Sequence, residues 1–192
     1  MFADMADFTP TAEKLGEDAT FTLMQRLIEQ ISETVHGHDG TIQNLTGDGV
    51  MALFGIDGEP KEGCRRALIA ARAIAASLKD LNANLQEDLD EAIRIGIGVH
   101  VGTVIVGEMG YAAVRSVTAV GDAVNTASRL ETANKEFLSQ LVVSRDVSER
   151  AAVDLSQFPL HEIDVRGRVE RIAVHVLEDA TRLPELTAFE PA

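Results

Sequence analysis

The sequence holds a single cysteine, Cys64. An internal disulfide is therefore excluded, and one thiol in a chain of this size points to a reducing compartment. Cys64 itself reads as a small apolar residue on a helix. Long apolar runs are missing too. Hydrophobic residues make up 45% of the 192 residues, yet they are dispersed, and no stretch approaches the roughly 18 residues of a membrane span. The opening Met1-Phe2-Ala3-Asp4 has no basic region leading into an apolar stretch, so it is not a secretory signal. Cations are scarce: 17 Lys and Arg against 31 Asp and Glu leave a net charge of −14. Such a surface repels a nucleic-acid polymer or an anionic membrane. It leaves room for a single nucleotide held by local cations and a divalent metal. The expected setting is the cytoplasm, or the cytosolic part of a larger protein. The abrupt, strand-like start suggests a domain cut from a longer chain, or a start site placed inside a strand, with any sensor domains outside these residues.

What is present suffices for one compact domain. Residues 1–6 read as the end of a strand and Phe8-Thr9-Pro10 as a turn. Phe21, Met24, Leu27, Ile28, Ile31 and Val35, at 3-and-4 spacing, predict a helix over Thr11–Val35. Thr41–Thr46 and Val50–Phe54 flank Gly47-Asp48-Gly49, a hairpin signal. A second helix is expected over Glu59–Leu81, then strands over Ile93–Val101, Thr103–Val106 and Arg115–Val120. Gly121 opens a helix running through Asn125, Arg129 and Glu131. Leu141–Ser144, Arg145–Ala152 and a hairpin of Phe158–Val165 with Ile172–Val176 read as strand, helix and closing ribbon. The order β-α-β-β-α-β predicts an α+β fold: a ferredoxin-like, palm-like split βαβ sheet with helices on one face and a C-terminal αβ extension. The domain is expected to span residues 1–177, with residues 178–192 a tail or linker stub.

Two carboxylates stand out. Alone, Asp4 is what a turn or helix cap uses, and Asp48 is what an Asp-Gly turn uses. In a split βαβ fold, however, the first strand and the following hairpin lie side by side, so both can meet at one edge. Paired carboxylates repel unless a cation sits between them, and hard oxygen ligands suit Mg²⁺ or Mn²⁺. The backbone from Met5 through Phe8 and Thr9 enters a helix N-terminus, whose free N–H groups favour a phosphate. Asn125 and Arg129, at i and i+4, project from one helix face. Asp122 reads as structural. The histidines at 36, 38, 100, 161 and 175 form no metal-ligand pattern.

Four blocks in order resemble class III adenylyl and guanylyl cyclases. Phe2 to Thr9 is similar to the family's FADI-x-x-FT signature, and Leu45 to Gly55 to its metal-binding hairpin. Val99 to Gly107 resembles H-x-G-x-V-x-x-G, and Val120 to Glu131 the GD-x-VN-x-A-x-RLE helix. Diguanylate cyclases share a related core, but Gly47-Asp48-Gly49 does not match their Gly-Gly-Asp/Glu-Glu-Phe hairpin. The resemblance implies that Asp4 and Asp48, joined by the Met5 carbonyl, bind two Mg²⁺ or Mn²⁺ ions per site. It implies that Asn125 orients the ribose and Arg129 meets the charge developing on the α-phosphate. It further implies that these two act across a homodimer interface, so that each active site is shared. Val165-Arg166-Gly167-Arg168 resembles the family's V-K-G-K loop, with Arg168 as the expected phosphate contact and Arg166 in reserve.

The pattern departs at the base-reading positions. Family adenylyl cyclases carry lysine four residues before the hairpin aspartate, where this chain has Asn44. They often carry aspartate seven residues before the ribose asparagine, where this chain has Thr118. The glutamate and cysteine typical of guanylyl cyclases are absent from both positions. Thr103 stands where some members have a phosphate-binding arginine. The resemblance thus implies an adenylyl cyclase making cyclic AMP from ATP. The alternatives are GTP as substrate, or a weakly active regulatory module that binds nucleotide or a partner.

Overall fold

The computed structural model describes residues 1–47, 49–85, 92–111, 114–165 and 171–187. The chain runs β1 (Phe2–Ala6), α1 (Phe8–Leu15), α2 (Glu17–Gly37), β2 (Gly40–Thr46), β3 (Gly49–Phe54), α3 (Pro60–Leu85), β4 (Arg94–Val99), β5 (Ile105–Tyr111), β6 (Val114–Val120), α4 (Asp122–Phe137), β7 (Leu141–Ser144), α5 (Arg145–Ala151), β8 (Leu160–Ile163) and β9 (Ile172–Leu177). Seven strands form one sheet in the order β2-β3-β1-β4-β7-β9-β8, and β5 pairs with β6 in a separate ribbon. Only β4 and β7 run parallel within the sheet; its other neighbours are antiparallel. The expected split βαβ core is thus present as β1-α2-β2-β3-α3-β4, with β1 and β4 side by side.

Strand alternation decides where the helices go. Ala3 and Met5 of β1, Val50 and Ala52 of β3, and Ile95, Ile97 and Val99 of β4 point into one core with Leu27, Ile31 and Val35 of α2 and Leu68, Ile74 and Leu78 of α3. The opposite face of β4 carries Gly96 and Gly98 beyond Arg94 at the strand's exposed start. That bare strip admits α4, whose backbone at Ala127 and Glu131 lies where a Gly98 Cβ would have to be. Leu130 of α4 then packs with Val142, Val174 and Val176 in a second cluster. The helices therefore divide between both faces, and the expectation of one face fails for α4. Two glycines on one face of β4 make the difference.

Two local expectations also change. The predicted first helix is two helices, because Gly16 takes a left-handed φ of 77° and donates its N–H to the Ala12 carbonyl. Phe8-Thr9-Pro10 is the first turn of α1 and not a separate turn. Proline fits there because first-turn N–H groups have no helical acceptor. The stretch from Glu178, which the sequence leads one to expect as a tail, packs on α3 as far as Thr187. Ala180 and Leu183 are buried in the main core. Arg65, Arg72 and Lys79, seven apart on α3, reach the Thr187 carbonyl at 3.3 Å, the Thr181 carbonyl at 3.2 Å and the Asp179 carboxylate at 2.9 Å.

Candidate active site

The two core clusters leave one part of the sheet without a helix of its own: the face of β1, β3 and β2 that carries Phe2 and Asp4. On β1, Ala3 and Met5 are buried while Phe2, Asp4 and Ala6 are half-buried on this other side. Asp4 stands directly opposite Gly49 on β3 and Gly96 on β4. A Cβ on Gly49 would lie 2.8 Å from the Asp4 Cγ and 2.9 Å from its Oδ1. The carboxylate leans on the hairpin backbone because no side chain is there to stop it.

The ladder also orients Met5. Met1 and Ala52 exchange both main-chain hydrogen bonds, at 2.8 and 2.9 Å. Alternation then turns the backbone groups of Met1, Ala3 and Met5 toward β3 and those of Phe2, Asp4 and Ala6 toward β4. The β1–β3 pairing ends at Asp4 and Gly49. The Met5 carbonyl therefore points past that end, toward the hairpin turn between Gly47 and Gly49. The Met5 side chain is a core residue. Asp48, at that turn, lies outside the described residues, as do Arg168 and Arg166.

The donor set fits a divalent ion. The Asp4 carboxylate and the Met5 main-chain carbonyl are the hard oxygens that Mg²⁺ and Mn²⁺ take. Among the described residues no three His, Cys, Asp or Glu side chains gather as a full cage, and Mg²⁺ itself keeps water and substrate phosphates as ligands. Directly after β1, Asp7 takes a left-handed φ of 56° and α1 begins at Phe8. The first-turn N–H groups of Phe8 and Thr9 thus follow the Asp4 strand within one turn of chain. The Phe8 ring packs against the main core and holds that turn down.

The strand that carries Asn44 holds a feature that periodicity could not reveal. The β2–β3 register slips between Ile42 and Asn44: Ile42 pairs with Ala52, yet Asn44 pairs with Met51. Gln43 is the extra residue of a β-bulge. Without it Asn44 would point into the helix-side core; with it, Asn44 shares the face of Met51, Phe2 and Asp4. Thr118 is half-buried on β6, opposite Gly107, and β6 runs against β2. Asn44 and Thr118 thus sit on neighbouring elements.

Asn125 and Arg129 do not join Asp4. Ala123, Thr126, Ala127, Leu130 and Asn134 turn α4 onto the sheet, which leaves Asn125 exposed and Arg129 half-buried on its outer side. The α4 residues that meet the Asp4 row are Glu131 and Asn134, both beside Gly96. A cavity of about 430 Å³ opens at the N-terminal end of α4, lined by Phe2, Met51, His100, Ala123, Val124 and Arg150 among others. Cys64, also on its wall, has its thiol pushed up to about 11 by burial, against a weaker pull from Arg150. It is an inert core thiol.

Sequence reasoning missed Gly49, Gly96 and Glu131 as parts of this site. The signal for the glycines was Ile95-Gly96-Ile97-Gly98-Val99, in which glycine occupies every second position of a strand and marks a close approach.

Comparison with known proteins decides the family. The profile of the adenylate and guanylate cyclase catalytic domain matches residues 1–179. The chain belongs to that family. Adenylate cyclase 1 of Rhizobium meliloti is 29% identical over 188 residues, covering 97% of this chain and 28% of that protein. Adenylate cyclase of Anabaena cylindrica is 27% identical over 179 residues, covering 91% and 35%. The chain thus spans about a third or less of these relatives. The guanylyl cyclase Cya2 shares the fold with a TM-score of 0.82 at 21% identity, covering 98% of this chain and 94% of that one. A bacterial light-regulated adenylyl cyclase does so with a TM-score of 0.74 at 27% identity, covering 93% and 50%.

Proposed function

We propose that this cyclase-family domain is an adenylyl cyclase that converts ATP to 3′,5′-cyclic AMP and pyrophosphate in the cytosol. The observation that carries the reading is the Asp4 carboxylate lying on Gly49 at the hairpin end, with the Met5 carbonyl pointing to the same turn. Asp4, Asp48 and that carbonyl would hold two Mg²⁺ or Mn²⁺ ions. When bound, such ions supply positive charge that acidifies the ribose 3′-hydroxyl and stabilises the departing pyrophosphate.

The chain's own groups do the rest. First-turn N–H groups at Phe8 and Thr9 receive the phosphates, and Arg168 adds a cation at the terminal ones. Asn44 donates to the base and Thr118 accepts from its amino group. The 3′-oxygen gives its proton to solvent and forms its bond to the α-phosphorus as the bond to the bridging oxygen breaks, that oxygen leaving with the bond's electron pair on pyrophosphate. Arg129 meets the charge that builds on the α-phosphate with a planar, permanently charged fork, while Asn125 holds the ribose.

The outward direction of Asn125 and Arg129 supports a homodimer in which each α4 serves the Asp4 edge of the other copy. The β5–β6 ribbon, with Ile105, Met109 and Val120 at 77%, 60% and 52% exposure on one face, offers the apolar surface such a dimer needs.

A second reading, with GTP as substrate, is favoured by Asn44, since an amide can donate or accept. Incubating the purified chain with ATP or GTP and Mn²⁺ separates the two by the cyclic product formed. No product from either nucleotide, in a dimer that binds nucleotide, would leave only a regulatory role.

A further inference from the structure

Asp4 is bracketed by two glycines, and a carboxylate fills the place of each missing side chain. On the hairpin side that carboxylate is its own. On the other side, the position a Gly96 Cβ would take lies 2.9 Å from the Glu131 Oε1. Asp4 and Gly96 are directly opposite in the ladder, and opposed Cβ positions are about 5 Å apart. The Glu131 carboxylate therefore stands within one side chain's reach of Asp4.

The fold holds it there. Gly98 lets the α4 backbone at Glu131 settle onto β4, and Gly96 leaves space for the side chain to come down. The Thr132 hydroxyl donates to Glu131 Oε2 at 3.3 Å, so Oε1 is the oxygen turned to the strand. Two ionised carboxylates repel, and the Asp4 carboxylate rests on Gly49, its neighbour on the side of β1 away from Gly96.

We propose that Glu131 is a positioning residue of the divalent-ion site: standing over Gly96, it holds the Asp4 carboxylate toward Gly49 and deepens the negative potential there, without itself ligating the ion. The inference rests on Asp4 being an ion ligand, as proposed above. Arg94, Lys135 and Asp7 line the same cavity of about 80 Å³ as Glu131.

The test is a Mn²⁺ titration, read from the resonance signal of the free ion, with 3′-deoxy-ATP as a nucleotide that cannot cyclise. Glu131→Gln should weaken Mn²⁺ binding about 5- to 10-fold. Glu131→Asp, which keeps the charge, should stay within about twofold of wild type. The Mg²⁺ concentration for half-maximal turnover should rise by the same factor in the glutamine variant, with the nucleotide KM at saturating metal unchanged. Asp4→Asn serves as the reference for a lost ligand. Tight binding in Glu131→Gln with loss in Asp4→Asn overturns this proposal and spares the metal assignment. Tight binding in both overturns the two together. Should the glutamine variant not fold, the size-matched pair Glu131→Asn and Glu131→Asp gives the same reading, and equal affinity in the two overturns the proposal.

Discussion

A Cβ added to Gly49 would lie 2.8 Å from the Cγ of Asp4. The pair is the narrow kind, without hydrogen bonds between its two residues, where opposed Cα atoms come within about 4.5 Å. Glycine at this position is thus a requirement of the carboxylate and not only of the turn. Gly49→Ala should keep the fold at a cost of about 1–3 kcal/mol for overpacking. It should lower kcat/KM about a hundredfold, because the Asp4 carboxylate must move by about an ångström. A thermal melt and a cyclase assay on the same preparation check both halves. Full activity in the alanine variant would show that Asp4 is not needed where it stands.

The Gln43 bulge gives the proposed base-reading role of Asn44 a testable consequence. Asn44 lies on the Asp4 face, in register with Met51 and Phe2. A lysine there would supply the charged donor that family adenylyl cyclases use for adenine N1. Asn44→Lys should shift the ATP-to-GTP ratio of kcat/KM toward ATP by one to two decades, the worth of a charged hydrogen bond of about 1.5–3 kcal/mol. Competition assays with both nucleotides measure the ratio. A fall in the ratio would place the base elsewhere.

Much of the fold was legible because it is written in periodicity and turn chemistry. The apolar stripe of α3 and the Asp-Gly turn between β2 and β3 are of this kind. What escaped depends on contacts between distant segments. Gly16 sits inside a helical pattern that runs on past it, so only its backbone φ separates α1 from α2. The bulge at Gln43 leaves no mark in an already irregular run, Thr41-Ile42-Gln43-Asn44. The side of the sheet taken by α4 follows from Gly96 and Gly98, whose role emerges once a helix is laid across them. Among the candidate site residues, Asp4, Asn125 and Arg129 could be put forward from motif resemblance, whereas Glu131 was passed over as the end of a helix motif.

The segment after Glu178 carries its own expectation. Leu183 is 3% exposed and packs in the main core. A disposable tail would tolerate its truncation. Leu183→Ala should instead cost about 2–4 kcal/mol, the range for emptying a buried leucine site. Urea unfolding gives the value. A change below about 0.5 kcal/mol, typical of surface sites, would mark the segment as an accessory to the domain.

Acid should weaken the sheet through His175. It is 8% exposed, and its Nδ1 is buried without a partner among the described residues. Burial holds its imidazole below the ordinary histidine range, Arg145 adds to the effect, and the Phe158 carbonyl and Asp154 oppose it. The unfolded chain therefore binds this proton more readily than the folded one. The stability that neutral His175 provides is complete above the unfolded pKa of about 6.5 and is lost as pH falls below it, at up to about 1.4 kcal/mol per pH unit. His175→Leu should flatten that part of the profile. Parallel urea titrations of the two proteins from pH 8 to pH 5 measure the difference, and superimposable slopes would rule His175 out.

The proposed sharing of the site between two copies makes the sharpest demand. Asp4 meets α4 at Glu131 and Asn134, while Asn125 and Arg129 face outward. If a second copy supplies the latter pair, Asp48→Ala and Arg129→Ala should each be inactive alone. A heterodimer of the two holds one site with both lesions and one with neither. Random exchange makes half of all dimers heterodimers, each with one of its two sites intact, so a one-to-one mixture should recover about a quarter of wild-type activity. Differently tagged chains, purified in tandem to isolate the heterodimer, should recover about half. Inactivity in that purified heterodimer would mean that Asp48 and Arg129 serve the same protomer, which the outward face of α4 argues against.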